Sequence, residues 1–213
     1  MNFDTFLNAI PKIENIPLPA QASQFKMSPP FREKLIAKYR ERMKTARKAG
    51  VMALFYPDVS DVTRIALILR KTYKGVHSAQ IGFPGGKVEP ADIDLKHTAL
   101  RETFEEIGVP ENTVQVLRQM TEVYIPPSNF YVQPFVGICD QTPQFFKQDE
   151  EVEAIVEVLL SDLLDETNVI TKAVETSYNV EIEVPAFELN EHIVWGATAM
   201  MLSEIKDLLK GVL

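Results

Sequence analysis

The chain has 213 residues, of which 46% are hydrophobic and 24% charged, so it is long enough to bury one core. Its formal net charge of −8 argues against a general nucleic-acid binder, which needs a basic surface. A single cysteine, Cys139, leaves no material for a disulfide framework or a zinc site, and we expect a buried thiol there. Residues 1–20 contain Asp4 and Glu14 and no long apolar run, which predicts neither a secretory signal nor a membrane span and favours the cytoplasm.

The first 49 residues are expected to form an extension ahead of the main domain. Prolines interrupt residues 1–30, where a short helix near Phe3–Ile10 is predicted, and Pro30 is well placed to start a helix over Pro30–Ala49. Residues 32–48 hold eight basic and two acidic side chains. A solvated helix face is one interpretation of this charge, and a basic wall near an anionic substrate or an intermolecular contact is the other.

From residue 50 onward, short apolar runs separated by turn-like breaks predict the strands of a mixed sheet. The runs are Val51–Tyr56, Thr63–Leu69, Gln80–Phe83, Val114–Glu122, Tyr131–Ile138 and Val152–Leu160. Ser161 is a candidate N-cap for a short helix over Asp162–Glu166, and Val169–Thr176 with Val180–Leu189 is expected to form a hairpin. Apolar residues at helical spacing predict a closing helix from Trp195 to Lys210.

Residues 83–109, FPGGKVEPADIDLKHTALRETFEEIGV, carry the most informative pattern of the chain. The glycines of FPGG allow a sharp turn or a close approach of the backbone to a ligand. A helix is predicted to follow, with Asp92 or Asp94 as its N-cap and Gly108 just past its end. Its core-facing residues are predicted to be Leu100, Phe104 and Ile107.

Glu102, Glu105 and Glu106 are predicted to lie on one exposed face of this helix, because residues i, i+3 and i+4 are neighbours on a helix surface. Three adjacent anions repel one another on an ordinary solvated helix. A hard divalent cation reverses that effect, since Mg²⁺ and Mn²⁺ take carboxylate oxygens and keep positions open for water and substrate phosphates. An acidic surface helix is the alternative for an isolated ExxEE pattern, and the flanking glycines and Arg101 favour the metal site instead.

This segment resembles the Nudix box, whose pattern is GX5EX7REUXEEXGU with U apolar. Residues 101–109, RETFEEIGV, match the second half, except that Thr103 stands at an apolar position. In the first half, Asp92 stands at the glutamate position, and the segment from Asp92 to Arg101 is one residue longer than in the general pattern.

The longer variant is similar to the coenzyme A diphosphatase branch of the Nudix family. Three further segments resemble sequences at the corresponding positions of that branch: Leu67–Arg70 ahead of FPGG, Pro134–Gly137 and Trp195–Ala199. The chain departs from the branch's upstream signature at three positions, Leu69, Gly75 and Ala79.

The resemblance implies an α/β fold, a Nudix-type α/β/α sandwich with a mixed sheet, in which an N-terminal helical extension of residues 1–49 precedes a hydrolase domain of residues 50–213. It also implies divalent-metal-dependent hydrolysis of a diphosphate linkage in coenzyme A or acyl-coenzyme A, giving 3′,5′-ADP and (acyl)phosphopantetheine. Two alternatives stay open: the same reaction on ADP-ribose, a dinucleotide or a nucleoside triphosphate, and a non-catalytic ligand-sensing domain.

The predicted site combines this resemblance with the residue chemistry. The expected catalytic residues are Glu102, Glu105, Glu106, Glu151 and Arg101, and the first three of these are the expected ligands of Mg²⁺ or Mn²⁺. Glu151 is chosen by resemblance from the acidic run at 149–153, for which a solvated loop is an equal alternative. The expected substrate-binding residues are Arg70, Lys74, Phe83, Gly85 and Gly86, with a structural salt bridge as the alternative for Arg70. The expected partner is a small nucleotide-derived substrate, with no nucleic acid and no membrane, and homodimer formation is left open.

Overall fold

The computed structural model describes residues 1–71, 80–175 and 181–213. Within these ranges the helices are α1 Phe3–Leu7, α2 Ile10–Ile13, α3 Ala20–Gln24, α4 Arg32–Lys38, α5 Arg40–Met43, α6 Leu95–Ile107, α7 Leu160–Leu164 and α8 Gly196–Lys210. The strands are β1 Arg47–Pro57, β2 Thr63–Arg70, β3 Ile81–Gly82, β4 Gly85–Lys87, β5 Gln115–Gln119, β6 Val123–Ile125, β7 Phe130–Ile138, β8 Val152–Leu159, β9 Val169–Glu175, β10 Glu181–Leu189 and β11 His192–Trp195.

Strand β1 organises the larger sheet because it pairs on both of its edges. It runs parallel to β7 along residues 47–55, and its second half pairs antiparallel with β2 through residues 54–57. Its first half pairs antiparallel with β4 through residues 49–51, which anchors the FPGG segment to the sheet. Strands β3 and β8 pair with β2, while β5 and β6 pair with β7. The predicted mixed sheet is confirmed.

The two faces of this sheet bury two separate apolar clusters, as alternation along a strand requires. Val51, Ala53 and Phe55 belong to a cluster that also contains the apolar side of α8. Met52 and Leu54 point the other way, into a cluster with residues of α6. Helices therefore cover both faces, which confirms the α/β/α class.

The N-terminal helices are part of this core. Phe3, Phe6, Ile13 and Met27 are buried in the same cluster as α8. The boundary predicted at residues 49 and 50 falls inside β1.

One long helix over Pro30–Ala49 was the wrong prediction. Two short helices, α4 and α5, occupy Arg32–Met43, and the chain is already in strand β1 at Arg47. Residues 47–49 pair with β7, so hydrogen bonding across the sheet outweighs the local helical preference of this basic segment.

The helix after β8 also begins elsewhere than predicted. Leu159 is its N-cap, without a side-chain hydrogen bond, and Ser161 lies inside α7. Burial of Leu160 and Leu163 starts this helix directly at the end of the strand. The predicted pairing of the two following strands is confirmed for β9 and β10, with β11 as a third strand. The predicted ends of that hairpin, Thr176 and Val180, lie outside the described residues.

Candidate active site

Helix α6 carries the three predicted glutamates and is capped at both ends. The side chain of Asp94 accepts a hydrogen bond from the His97 N–H at 2.7 Å, which identifies it as the N-cap. Gly108 ends the helix with φ of 77°, a left-handed conformation that glycine adopts without strain. The sequence left Asp92 open as the cap, and the structure gives it another role, beside Arg101.

The core-facing side of α6 differs from the prediction. Ile107 is fully buried and Leu100 packs partly against the core, but Phe104 is 51% exposed, so its predicted orientation was wrong. Thr103 is buried in its place, and its hydroxyl donates to the Ala99 carbonyl at 2.6 Å, which satisfies the polar group inside the core. The threonine that departs from the apolar pattern therefore fits an interior position.

Two glycines allow α6 to lie close to the strands beside it. A side chain at Gly50 would come within 3.0 Å of the Leu95 carbonyl oxygen, so β1 and the start of α6 are in direct backbone contact. A Cβ at Gly86 would come equally close to the carboxylate of Glu102. Gly86 thus leaves the space that the Glu102 carboxylate occupies.

Glu106 is the most enclosed of the three carboxylates, with only 3% of its side chain exposed. Its Oε2 accepts a hydrogen bond from the Gly85 N–H at 2.8 Å, and Arg70 Nη1 lies 3.5 Å from its Oε1. None of the described residues donates a hydrogen bond to Oε1. Burial raises the pKa of Glu106 to about 7, against the opposing effects of Arg70 and the Gly85 N–H. The prediction that all three glutamates are exposed was therefore wrong for Glu106.

Arg101 forms hydrogen bonds with three other carboxylates. Its guanidinium contacts Asp92 at 2.9 and 3.0 Å, Glu102 at 3.1 Å and Glu105 at 2.9 Å. A hydrogen bond from Arg101 holds the pKa of Asp92 well below its usual range. Through these contacts Arg101 orients the carboxylates of Glu102 and Glu105.

Glu102 and Glu105 have different surroundings. Burial raises the pKa of Glu102, while Arg101 opposes that shift and the charges of Glu105 and Glu151 add to it. Glu105, one turn further along, is 52% exposed and reaches solvent. The helix therefore presents one buried, one partly buried and one exposed carboxylate along one edge.

These carboxylates line a cavity of about 790 Å³. Of the predicted residues it brings together Glu102, Glu105, Glu106, Glu151, Arg70, Phe83, Gly85 and Gly86. Arg101 does not line it and acts on it through the glutamates. Lys74 lies outside the described residues.

The cavity also has walls that lie outside the predicted site residues. Four residues between 29 and 35 and five between 125 and 130 contribute, as do Trp195 and Thr198 at the start of α8. The Thr198 hydroxyl donates to the Ile81 carbonyl at 3.0 Å, which joins α8 to the strand just before FPGG. The basic character of residues 32–48 was the available sequence signal for the wall between residues 29 and 35, but charge alone does not identify which side chain faces the cavity.

The donor set fits a hard divalent cation. The acidic side chains supply oxygen only, as Mg²⁺ and Mn²⁺ prefer, and Oε1 of Glu106, which accepts no hydrogen bond from the described residues, is a buried acceptor that a cation would satisfy. Across residues 1–71, 80–175 and 181–213, no three acidic, histidine or cysteine side chains already converge as a ligand cluster. Joint coordination by Glu102, Glu105 and Glu106 therefore requires their side chains to come closer together than they lie in this structure.

The family of the chain follows from comparison with known proteins. The NUDIX domain model matches residues 46–176, which is more than half of the chain. A crystal structure of a Nudix hydrolase from M. smegmatis, RenU, has a TM-score of 0.54 at 12% identity and covers 79% of this chain and 88% of that one, a likeness of fold alone. The chain belongs to the Nudix family, whose enzymes hydrolyse nucleoside diphosphate derivatives and generally need divalent metal ions.

Two curated relatives are similar over most of the chain. One is the peroxisomal coenzyme A diphosphatase ndx-8 of Caenorhabditis elegans, 29% identical over 155 residues, which are 72% of this chain and 64% of that protein. The other is the uncharacterized Nudix hydrolase NudL of Yersinia pestis (strain Pestoides F), 32% identical over 145 residues, 68% of this chain and 69% of that protein. In the described part of the chain, no helix has the length and apolar character to cross a membrane.

Proposed function

We propose that this Nudix enzyme hydrolyses the diphosphate linkage of coenzyme A or its acyl thioesters, giving 3′,5′-ADP and (acyl)phosphopantetheine. The observation that carries the proposal is the set of four glutamates on one cavity, with a buried Glu106 oxygen that accepts no hydrogen bond from the described residues. Similarity to a relative named as a coenzyme A diphosphatase supports this choice of substrate.

We assign the metal-binding role to Glu102, Glu105 and Glu106. When bound there, Mg²⁺ or Mn²⁺ neutralises diphosphate charge and lowers the pKa of a water molecule. Arg101 positions Glu102 and Glu105 through its contacts of 3.1 and 2.9 Å. The Gly85 N–H positions Glu106 in the same way, at 2.8 Å.

The remaining groups bind the substrate and accept a proton. Glu151 lines the cavity from the segment before β8, and its exposed carboxylate is our candidate to take a proton from the attacking water. Arg70, beside Glu106, brings the cationic group that suits a diphosphate oxygen. Phe83, Gly85 and Gly86 line the same cavity, and we assign them to contact with the substrate.

A substrate panel tests the proposal. Coenzyme A, acetyl-coenzyme A, ADP-ribose, NADH and nucleoside triphosphates are compared with Mg²⁺ and with Mn²⁺, and the products are identified by mass spectrometry. We expect the highest kcat/KM for coenzyme A or its thioester, and no turnover with a chelator. A preference for ADP-ribose would mean that ADP-ribose is the substrate instead of coenzyme A, while the proposed metal-dependent hydrolysis would stand. Binding without turnover of any compound would favour the ligand-sensing alternative.

A further inference from the structure

A second wall of the cavity is formed by residues far from the glutamates in sequence, and we call it the N-terminal wall. It consists of Pro29, Phe31, Arg32, Leu35, Ile125, Pro126, Pro127, Ser128 and Phe130. The wall is mostly apolar, and Arg32 is the cation that it contributes to the cavity.

Arg32 has fewer partners than a half-buried arginine needs. Its Nη2 donates to the Tyr124 carbonyl at 2.8 Å, whereas its buried Nε has no hydrogen-bond partner in the described ranges. No carboxylate oxygen of the described residues lies within 4.0 Å of its guanidinium nitrogens. Burial accordingly lowers the pKa of Arg32. A partly buried charge without a counterion costs free energy, and an anionic ligand would offset that cost.

Ser128 supplies a second unsatisfied group on the same wall. Its buried Oγ has no hydrogen-bond partner among the described residues. Together, Arg32 and Ser128 offer donors that lack acceptors, which is the complement of an anion with several oxygens.

We propose that Arg32, assisted by Ser128, binds a phosphate monoester of the substrate that is separate from the diphosphate being cleaved. The proposal rests on the function assigned above, because the same cavity holds the diphosphate. A guanidinium suits a phosphate better than an ammonium does, since its planar fork donates two parallel hydrogen bonds. Phe31 and Leu35 provide apolar surface for the organic group that carries this phosphate.

Arg32 and Arg70 are thereby assigned to different phosphates of the substrate. Arg70 lies 3.5 Å from Glu106, so it belongs with the catalytic carboxylates. Recognition of a second phosphate by the N-terminal wall would make residues 29–35 part of the specificity of the enzyme.

The first test compares coenzyme A with its 3′-dephospho form in steady-state assays. Arg32→Gln should raise the KM for coenzyme A about tenfold or more, the usual effect of losing a charge-assisted hydrogen bond, and should raise the KM for the dephospho form much less. The KM of Arg32→Lys for coenzyme A should lie between those of the wild type and Arg32→Gln. Lys34→Gln removes the same charge from an exposed site on the same helix and should leave the ratio of the two KM values unchanged. Equal losses on both substrates with Arg32→Gln would overturn the proposal.

A binding measurement separates this inference from the proposed function. Calorimetry measures the affinity of the full-length protein for adenosine 3′,5′-bisphosphate and for adenosine 5′-monophosphate. We expect the wild type to prefer the bisphosphate, Ser128→Ala to reduce the preference and Arg32→Gln to abolish it. No preference in the wild type, or an unchanged one in Arg32→Gln, would contradict the role of Arg32. Failure to hydrolyse coenzyme A would count against the function alone. If Arg32→Gln does not fold, Arg32→Lys and Ser128→Ala are measured instead. A wild-type preference for the bisphosphate in both variants would contradict the role of Arg32.

Discussion

Burial of the Glu106 carboxyl couples its protonation to folding. The pKa of this group rises from 4.5 to about 7 in the folded protein, so the folded state holds its proton more tightly than the unfolded chain. The stability that this preference supplies is fully present below pH 4.5 and is lost as the pH rises through about 7. A shift of this size corresponds to an effect on the order of 3 kcal/mol.

Chemical unfolding in the presence of a chelator tests this coupling. Between pH 5 and pH 8 the wild type should lose stability relative to Glu106→Gln, whose side chain does not titrate. Glu105→Gln, at an exposed position of the same helix, should follow the wild type. Parallel stability curves for the wild type and Glu106→Gln would show that the carboxyl is not held at a raised pKa.

The sequence suggested which residues to propose for the site, but it could not give their surroundings. The spacing of the three glutamates specifies a shared helix edge, and α6 supplies it. Which of them is buried depends on how β4 and Arg70 lie against the helix, and these contacts are remote in sequence. The exposure of Phe104 has the same origin, since a helical period does not identify which residues the sheet covers.

At the scale of elements, the contact between β4 and α6 determines where the Glu102 carboxylate lies. A Cβ at Gly86 would overlap the end of the Glu102 side chain, which can rotate away, so Gly86→Ala should fold with little loss of stability. The displaced carboxylate should then lower turnover by about tenfold or more, because errors of about 1 Å in catalytic geometry have large effects on rate. The measurement is kcat together with the melting temperature.

Gly211→Ala is the matched control, because Gly211 lies outside the cavity and a Cβ there would approach no atom more closely than 3.4 Å, an ordinary van der Waals contact. It should keep both the turnover and the melting temperature of the wild type. Wild-type turnover in Gly86→Ala would mean that the position of Glu102 does not matter for the reaction.

Helices with strong local signals agree with their predictions, whereas two segments whose conformation depends on distant pairing, the start of β1 and β4, do not. Helices α6 and α8 follow from apolar spacing, and α6 follows also from its caps. Residues 47–49, the start of β1, were predicted as helix, because their pairing partner, β7, is about 80 residues away in sequence. The short β4 was interpreted as a turn for the same reason.

At the scale of the whole molecule, the N-terminal segment and the domain share a core. Gln24 donates to the buried carboxylate of Glu204 in α8 at 2.9 Å, and Glu204 also accepts from the Thr121 hydroxyl. We propose that residues 1–49 fold together with the rest of the chain, since they fill the face of the sheet that α8 covers.

Phe6→Ala tests this integration. Phe6 is fully buried and its ring lies 5.1 Å from that of Phe55 in β1, so its truncation should cost about 3–5 kcal/mol of unfolding free energy. Phe25→Ala removes an equally large side chain that is 49% exposed, and it should cost much less. Similar small losses for both would mean that the N-terminal segment is not part of the cooperative core.

The most direct test of the account is hydrolysis of coenzyme A by the α6 glutamate variants. With Mg²⁺ or Mn²⁺, Glu105→Gln and Glu106→Gln should each lower turnover by about a hundredfold or more, because each removes an anionic ligand from a site that works mainly by electrostatic stabilisation. A chelator should abolish the wild-type reaction, and Glu122→Gln, an exposed glutamate outside the cavity, should keep wild-type turnover. Undiminished hydrolysis by the Glu105→Gln, Glu106→Gln double variant would contradict the assignment of the site.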